Sequence, residues 1–425
     1  MTNHALEQAP RSPQVSPAPY RPRPLSKAWF DWLYRFLNAI YFDRVTLLHP
    51  ERRPQSGPVL YLGLHRNGAV DGFVYHRALN QPLFMISTQL RKTWFARLFF
   101  HGIAVTRTKD KGDRALNDAA LRQCLEHLLS GGELFVFPEG TSSLDPRHLP
   151  FKSGAAWLLL DYLSAGGPPL RVVPAGIHYE CPWAFRRRVE VVVGPPISTE
   201  LPAGASRIEC VKVIKARVQA ALEEVGLNVV SDEYQQLIQQ LATAATLTSR
   251  RSYFKSLKAL ESAIPEEVAA QWRSLEAECR GAKLWLYQGV PLFPSASSAV
   301  DLLALVPVGA MVLAAAVLNL PPLLAGWFAG NKLPDDRNVI SLWKILAGVP
   351  TFVGWVALAG LILVLAGKIL WLAAYILITW AGLKLYRPFK RIAVAAHNGL
   401  RRPALRARML AFQETLLRSL PDEAA

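Results

Sequence analysis

Short apolar runs alternate with helical patterns between residues 58 and 196. The apolar runs have the length of buried strands, and the segments between them carry the periodicity of helices with one apolar face. This alternation predicts a sheet with helices on its faces, an α/β domain that we place at residues 46–202. The strands are expected at Pro58–Leu64, Leu83–Ser87, Ile103–Arg107, Glu133–Phe137, Val172–His178 and Val189–Val193, and the helices near Gly72–Ala78, Arg114–Leu129 and Gly154–Ala165.

The next region, residues 203–290, shows helical periodicity, many charges and little strand signal. We expect helices around Ser206–Val225, Ser231–Leu260 and Glu266–Leu284. Together they predict a helical arm that packs on the sheet domain.

Residues 291–386 form a transmembrane region by composition. Val300–Leu320 holds about enough apolar residues for one span, and Ile340–Leu385 has room for a long span plus a shorter one. The polar loop Asn331–Asn338 separates these two runs. Neither run has a polar face, which argues against a buried helical bundle in a soluble protein.

The first 45 residues divide into two parts. Residues 1–25 are rich in proline and are expected to be disordered. Residues 26–45 combine many aromatic side chains with interspersed charges, which is typical of an amphipathic helix lying at the membrane headgroups. A first helix packed in the core of the domain fits the same pattern, and the sequence leaves both interpretations open.

The net charge of +16 indicates anionic partners, and the apolar segments favour membrane phospholipids. A nucleic-acid partner is not expected, because the basic residues flank apolar spans and do not line an aromatic groove. The mean hydropathy of +0.16 is high for a wholly soluble protein. The four cysteines have neither zinc-site spacing nor a disulfide framework, which fits a reducing cytoplasm.

The sequence after Lys384 is basic, and we expect residues 387–425 to form a cytoplasmic tail. The sheet domain should lie on the same side, because no signal sequence would export it. Both ends inside require an even number of crossings, so we expect two crossings and one re-entrant or interfacial segment, with breaks at Pro321-Pro322 and Gly348–Pro350. The predicted location is the cytoplasmic face of the inner (plasma) membrane.

The candidate chemistry begins at His65, which ends the apolar run Pro58–Leu64 and precedes Gly68 and Asp71. Strand ends followed by glycine-containing loops carry the chemistry in open α/β sheets. A neutral imidazole there takes a proton from an alcohol, and a carboxylate on its other nitrogen stabilises the imidazolium. Taken alone, the pair also fits a solvated loop histidine beside a helix-capping aspartate. A metal site of His65, Asp71 and His76 is a further interpretation.

Further segments follow in order. Gly102–Arg107 is a strand ending in arginine, Phe137–Ser143 reads Phe-Pro-Glu-Gly-Thr-Ser-Ser, Phe151–Gly154 contains Lys152, and Val173–Ile177 contains a proline. In this order and at these distances, the segments resemble the four sequence blocks of the glycerophospholipid acyltransferases, the family of bacterial lysophosphatidate and glycerol-3-phosphate acyltransferases. The resemblance covers roughly residues 58–196, and Phe-Pro-Glu-Gly-Thr is its most specific part.

The resemblance implies a role for each block. His65 and Asp71 would be catalytic. The acceptor's phosphate would be held by the arginine of the second block, the glutamate-glycine-threonine turn and the later lysine, which are Arg107, Glu139, Gly140, Thr141 and Lys152. The fourth block would serve the acyl-donor side or packing through Val173, Pro174 and Gly176. No metal and no cofactor is implied, since acyl-CoA or acyl carrier protein is a co-substrate.

The implied fold is a mixed sheet flanked by helices, followed here by the helical arm and the C-terminal transmembrane helices. This order is similar to that of fungal-type glycerol-3-phosphate acyltransferases. The chain departs from the family pattern at two points. Five residues separate His65 from Asp71 where the family has four, so the loop must absorb one residue, and Gly68 has the freedom to do so. Ser142 stands where the family often has arginine, which removes one charge from the phosphate site.

These blocks predict a membrane-bound O-acyltransferase with His65 as general base. A lipid hydroxyl attacks the donor thioester directly, and no GxSxG elbow is present to supply a serine nucleophile. The expected acceptor is a lysophospholipid or a glycerol-3-phosphate-type molecule. The alternatives are a lyso-lipid acceptor without phosphate, or a non-catalytic lipid-binding membrane protein of the same fold.

Overall fold

A mixed seven-stranded sheet lies at the centre of the computed structural model, which describes residues 24–106, 114–294 and 298–421. Its strands are β1 (Arg44–Leu48), β2 (Val59–Gly63), β3 (Leu83–Ser87), β4 (Ile103–Val105), β5 (Glu133–Val136), β6 (Arg171–Tyr179) and β7 (Arg188–Val193). They are ordered β1-β7-β6-β2-β5-β3-β4. Only the β6–β7 pair of this sheet is antiparallel. The predicted α/β fold, a mixed sheet flanked by helices, is confirmed.

Helices cover both faces of the sheet. The sheet-covering helices are α1 (Pro24–Tyr41), α2 (Val70–Ala78), α3 (Ala96–Phe99), α4 (Arg114–Leu129), α5 (Gly154–Ser164) and α6 (Arg207–Val225). Successive side chains of β2 point to opposite faces of the sheet, as they do in any β-strand. Leu60 and Leu62 join the core under α4, α5 and α6, whereas Val59 and Tyr61 join the core under α1 and α2. The strand that leads to His65 is therefore buried on both sides.

The helical arm contains α7 (Asp232–Thr248), α8 (Tyr253–Ser262) and α9 (Glu266–Gly281). The last helix of the described chain, α14 (Ala404–Ser419), packs into the core of this arm through its apolar side chains. The expected basic tail, residues 387–425, contains the end of α13 (Ile369–Arg401) and α14, which ends at Ser419, and its cytoplasmic location stays a prediction. α14 forms because Leu405, Met409, Phe412 and Leu416 make an apolar stripe at helical spacing.

Three helices of the described residues are long and apolar enough to cross a membrane: Ala299–Leu318, Arg337–Leu365 and Ile369–Arg401. In full, the apolar region holds α10 (Ser298–Leu318), α11 (Leu320–Lys332), α12 (Ile340–Leu365) and α13 (Ile369–Arg401). α10 and α11 form one helical hairpin, and α12 and α13 form a second. α10 runs antiparallel to α13, and α11 runs antiparallel to α12. In each pair, residues later in the first helix contact residues earlier in the second.

Two expected helix boundaries are wrong. The expected helix Ser231–Leu260 is split into α7 and α8, because Glu190 of β7 accepts the backbone N–H groups of Tyr253 and Phe254 and so caps a new helix there. No break occurs at Gly348–Pro350, which lies inside α12. Gly348 instead packs against α11, where a Cβ would be in ordinary van der Waals contact, 3.5 Å from the Cα of Gly326.

The expected break at Pro321-Pro322 agrees with the structure, in which a new helix, α11, begins one residue earlier at Leu320. α1 packs in the core of the domain on one side, and its position at the membrane headgroups stays a prediction. One face is buried in the core through Phe30, Leu33, Tyr34 and Leu37, while Trp29 and Trp32 are 42% and 51% exposed on the other. Residues 1–23 of the expected disordered segment lie outside the described residues.

Candidate active site

His65 and Asp71 meet at the carboxyl end of β2. The Nδ1 of His65 lies 2.9 Å from Oδ2 of Asp71. The carboxylate of Asp71 is fully buried, whereas His65 lies at the wall of a cavity. Since the buried carboxylate accepts a hydrogen bond from Nδ1–H, the lone pair of His65 is on Nε2. This is the arrangement of a base with its orienting carboxylate.

The extra residue between the two is absorbed by the loop. Gly68 has φ of +52°, a left-handed conformation that glycine adopts without steric penalty. The turn lets α2 begin at Val70, so Asp71 occupies its first helical turn. From there its Oδ2 also accepts the backbone N–H groups of Arg66 and Asn67, at 2.6 and 2.8 Å. The loop therefore folds around the aspartate.

Tyr179 holds the other oxygen of this carboxylate. Its hydroxyl donates to Oδ1 of Asp71 at 2.6 Å from the end of β6, which neighbours β2. Burial, and then the negative charge of Asp71, raise the pKa of Tyr179 well above its ordinary value. The phenol therefore stays protonated and remains a donor. Its donation fixes the orientation of the Asp71 carboxylate.

The Phe137–Ser143 block packs directly on the His65 block. The ring of Phe137 stacks on the imidazole with a centroid distance of 4.0 Å. The backbone N–H of Ser143 donates to the carbonyl oxygen of His65 at 3.0 Å. These contacts fix both the plane of the imidazole and the distance between the two loops.

A cavity of about 420 Å³ lies in front of His65. Gly140, Thr141, Ser142 and Lys152 form its polar wall. The rest is mainly apolar and aromatic, with lining side chains that include Phe73, Phe84, Met85, Ile86, Leu90, Phe100, Val105 and Leu121. The cavity thus combines a polar end carrying a cation with walls suited to a hydrocarbon chain.

Gly140 and Lys152 are in contact at the polar wall. Gly140 has φ of +71°, and a Cβ at this position would lie 2.7 Å from Nζ of Lys152. The positive φ favours glycine here, and a larger residue would also displace the end of the flexible lysine side chain. Glu139 points the other way. Its side chain is buried near Nδ1 of His148, at 3.5 Å, and both carboxylate oxygens lack a hydrogen-bond partner among the described residues.

The remaining predicted residues lie apart from the cavity. Val173, Pro174 and Gly176 belong to the middle of β6 and do not line it. A Cβ on Gly176 would lie 2.0 Å from the carbonyl oxygen of Val225, so this position serves the packing of β6 against α6. Arg107 lies outside the described residues. His76 does not join His65 and Asp71, since its Nε2 lies 3.5 Å from Asp31 on α1.

Sequence reasoning missed several residues of the site. Tyr179 and Phe137 hold Asp71 and His65 in place, but each reads in the sequence as an ordinary aromatic residue of a buried strand. Val339 and Leu342, at the start of α12, line the cavity although they belong to a predicted membrane segment. An apolar residue at the start of an apolar span carries no local signal of this role.

Comparisons with known proteins agree with this geometry. The family model for acyltransferases matches residues 44–178. An uncharacterized acyltransferase of Schizosaccharomyces pombe is 31% identical over 117 residues, which are 26% of this chain and 17% of that protein. Glycerol-3-phosphate O-acyltransferase 2 of Saccharomyces cerevisiae is 36% identical over 83 residues, 19% of this chain and 11% of that protein. The match thus spans less than a fifth of the length of either curated relative.

Among solved structures, the 1-acyl-sn-glycerophosphate (LPA) acyltransferase from Thermotoga maritima aligns with 48% of this chain and 83% of that chain, with 21% sequence identity and a TM-score of 0.33. The family match covers the strands and loops that carry His65, Asp71 and Lys152. Residues 44–178 therefore form a domain of the acyltransferase family, which confirms the resemblance to the glycerophospholipid acyltransferases read from the sequence blocks.

Proposed function

We propose that this protein is an O-acyltransferase that moves a fatty acyl group from acyl-CoA or acyl carrier protein to a hydroxyl of an acceptor. The acceptor is a lysophospholipid or a molecule of the glycerol-3-phosphate type. The observation that carries this proposal is the His65–Asp71 pair at the wall of the cavity, with the aspartate on Nδ1 and Nε2 left to receive a proton.

In the reaction, Nε2 of His65 removes the hydroxyl proton as the acceptor oxygen attacks the thioester carbon. Asp71 stabilises the imidazolium that forms. The tetrahedral intermediate then collapses, the carbon–sulfur bond breaks, and the thiolate takes the proton from the imidazolium. The products are an ester and a free thiol, and His65 returns to its neutral form. The stacking of Phe137 supports this role, because it keeps the ring in one plane throughout.

The polar wall would bind the acceptor's headgroup. Lys152 offers a cation to a phosphate, and the hydroxyl groups of Thr141 and Ser142 add donors beside it. We assign Arg107 to the same role from the sequence block alone. Glu139 would not contact the phosphate through its side chain, since its buried carboxylate lies outside the cavity lining and carries the same sign of charge. Val173, Pro174 and Gly176 would act on the sheet and not on the substrate.

The apolar helices fit a membrane protein, and we propose that the acyltransferase domain lies at its cytoplasmic face, where acyl donors are found. α12 and α13 would cross the bilayer. The α10–α11 hairpin would be re-entrant, because its turn at Asn319 contacts Tyr375 and Thr379 and so stops roughly 12–18 Å short of the α12–α13 turn at Gly367. Trp29 and Trp32 of α1 would lie among the lipid headgroups.

An acceptor without phosphate is the second candidate, favoured by Ser142 in place of an arginine. The experiment that tests both is acyl transfer by the purified full-length protein in lipid nanodiscs. Acyl-CoA and acyl carrier protein serve as donors, and the acceptors are glycerol 3-phosphate, lysophosphatidate, other lysophospholipids and monoacylglycerol. We expect a new ester with a phosphate-containing acceptor. Hydrolysis without transfer, or no thiol release with any pair, would reject the proposal.

A further inference from the structure

The membrane helix α12 begins inside the acyltransferase domain. Ile345 and Val349 are buried in the core between the sheet and α1, and Ser341 is fully buried as well. Val339 and Leu342 face the cavity that His65 lines. About two helical turns are therefore part of this domain before the helix reaches the apolar region.

Asn338, two residues before α12, lies between the loops that carry His65 and Ser142. Its side chain is buried, at 5% exposure, and Nδ2 donates to the carbonyl oxygen of Ser142 at 2.9 Å. Its own carbonyl oxygen lies against Gly68, where a Cβ would be only 3.2 Å away. One residue thus contacts both the polar wall of the cavity and the loop between His65 and Asp71.

A second link joins α12 to the same loop. Ser341 donates to the carbonyl oxygen of Pro182, which also accepts a hydrogen bond from the side chain of Asn67 at 2.9 Å. Ser341 in turn accepts a bond from Tyr41 of α1. A membrane tether would need only apolar contacts, whereas these polar bonds are directional and act on specific backbone atoms.

We propose that the start of α12 is part of the active site and that Asn338 is a positioning residue for acceptor binding. This inference rests on the proposed acyltransferase function. Asn338 acts through Ser142, whose carbonyl it holds, and so sets the position of the polar wall relative to His65. The membrane segment is therefore a component of the site as well as its anchor.

The test compares Asn338→Leu with Asn331→Leu in the full-length protein. Leucine keeps the branched shape of asparagine, with the same number of side-chain heavy atoms, but cannot donate to Ser142. Asn331 is a matched control, because it is exposed at the end of α11 and, among the described residues, its side chain bonds to the carbonyl of Trp327 one turn earlier. We expect Asn338→Leu to raise the acceptor KM by about 10-fold, with the donor KM changed less than about twofold. Asn331→Leu should leave both unchanged.

Hydrogen–deuterium exchange supplies a readout that is independent of turnover. Asn338→Leu should speed exchange in residues 137–143 while the strands of the sheet keep their protection. If both variants match the wild type in exchange and in acceptor KM, or if the two KM values rise together, the inference is wrong. A wild-type protein without transfer activity would reject the proposed function, and the exchange comparison would still decide the positioning role. Should Asn338→Leu fail to fold, Asn338→Ser, too short to reach Ser142, takes its place with the same expected results.

Discussion

His65 and Asp71 are in hydrogen-bond contact, at 2.9 Å, although the chain has five residues between them. The left-handed Gly68 shortens the path from the end of β2 to the first turn of α2. Two backbone N–H groups of the loop then close on the same carboxylate oxygen. The non-catalytic interpretation depended on the unusual spacing alone, and this contact removes its support.

Tyr179 should support the base through Asp71. We expect Tyr179→Phe to lower kcat by roughly 10- to 100-fold, the effect of one hydrogen bond to a charged group, without changing the acceptor KM. Tyr162→Phe is the matched control, since its hydroxyl donates to the carbonyl of Pro168 on the opposite face of the sheet. Steady-state kinetics with both variants provide the measurement. Equal losses in the two would mean that only packing had been disturbed.

Lys152 should distinguish phosphate-containing from phosphate-free acceptors. Lys152→Gln removes the cation of the polar wall, so we expect the KM of a phosphate-containing acceptor to rise about 10-fold. The KM of monoacylglycerol and that of the donor should change little. Lys212→Gln, on the exposed side of α6, is the control. A rise in the donor KM alone would instead assign the lysine to the phosphates of the acyl donor.

Acid should destabilise the fold through His178. Burial lowers the pKa of this histidine from 6.5 to about 3, against the opposing effect of the Val225 carbonyl that accepts its Nε2–H at 2.8 Å. Between about pH 3 and pH 6.5, His178 of the unfolded chain carries a proton that His178 of the folded protein lacks. Stability is therefore present above pH 6.5 and falls with decreasing pH, by about 1.4 kcal/mol per pH unit for this group.

The measurement is the thermal unfolding midpoint at pH 7.5 and pH 5.0. His178→Gln keeps a donor for the Val225 carbonyl and removes the titration, so its midpoint should fall less than that of the wild type. His49→Asn, in a loop outside the core, should keep the wild-type difference. If the midpoint of His178→Gln fell as much as that of the wild type between the two pH values, the prediction would be wrong.

The sequence located the parts of the site that are local in the chain. β2, His65, Asp71 and the Phe137–Ser143 turn follow from an apolar run and short motifs. Tyr179 and Asn338 could not be found in this way, because they lie 108 residues from Asp71 and 196 residues from Ser142. Only the pairing of β2 with β6 and the packing of α12 bring them to the site.

The same limit explains the errors in the fold. β1 was not expected, because Arg44–Leu48 forms an edge strand with exposed or half-buried positions and therefore lacks a clear apolar run. Basic residues after Lys384 predicted a cytoplasmic tail. In the structure, however, Arg387 forms ion pairs with Asp43 and Glu180, and these anchor α13 to the sheet domain. The charge of Arg387 alone did not reveal that its ion-pair partners lie in the sheet domain.

The helical hairpins lead to a prediction about topology. Asp335 lies in the exposed segment between α11 and α12, beside the acyltransferase domain, whereas Lys368 lies at the α12–α13 turn. Single cysteines at these two positions, in a chain whose native cysteines are replaced, should react with impermeant maleimide from opposite sides of sealed vesicles. The start of α12 is held in the acyltransferase domain as far as Val349, so the remaining part of this helix is about 24 Å long, close to the thickness of the hydrocarbon layer that would separate the two positions. Labelling of both from the same side would contradict two crossings by α12 and α13.

The central claim is that His65 is the general base of acyl transfer. The direct measurement is single-turnover ester formation by His65→Asn and His49→Asn, two variants with the same change in chemistry. His49 is remote from the cavity lining, and asparagine tolerates its φ of 57°. We expect His65→Asn to lose roughly 10²- to 10⁴-fold in rate while its thermal midpoint and membrane association stay those of the wild type. His49→Asn should retain the full rate. A folded His65→Asn protein that keeps more than about a tenth of the wild-type rate would contradict the assignment.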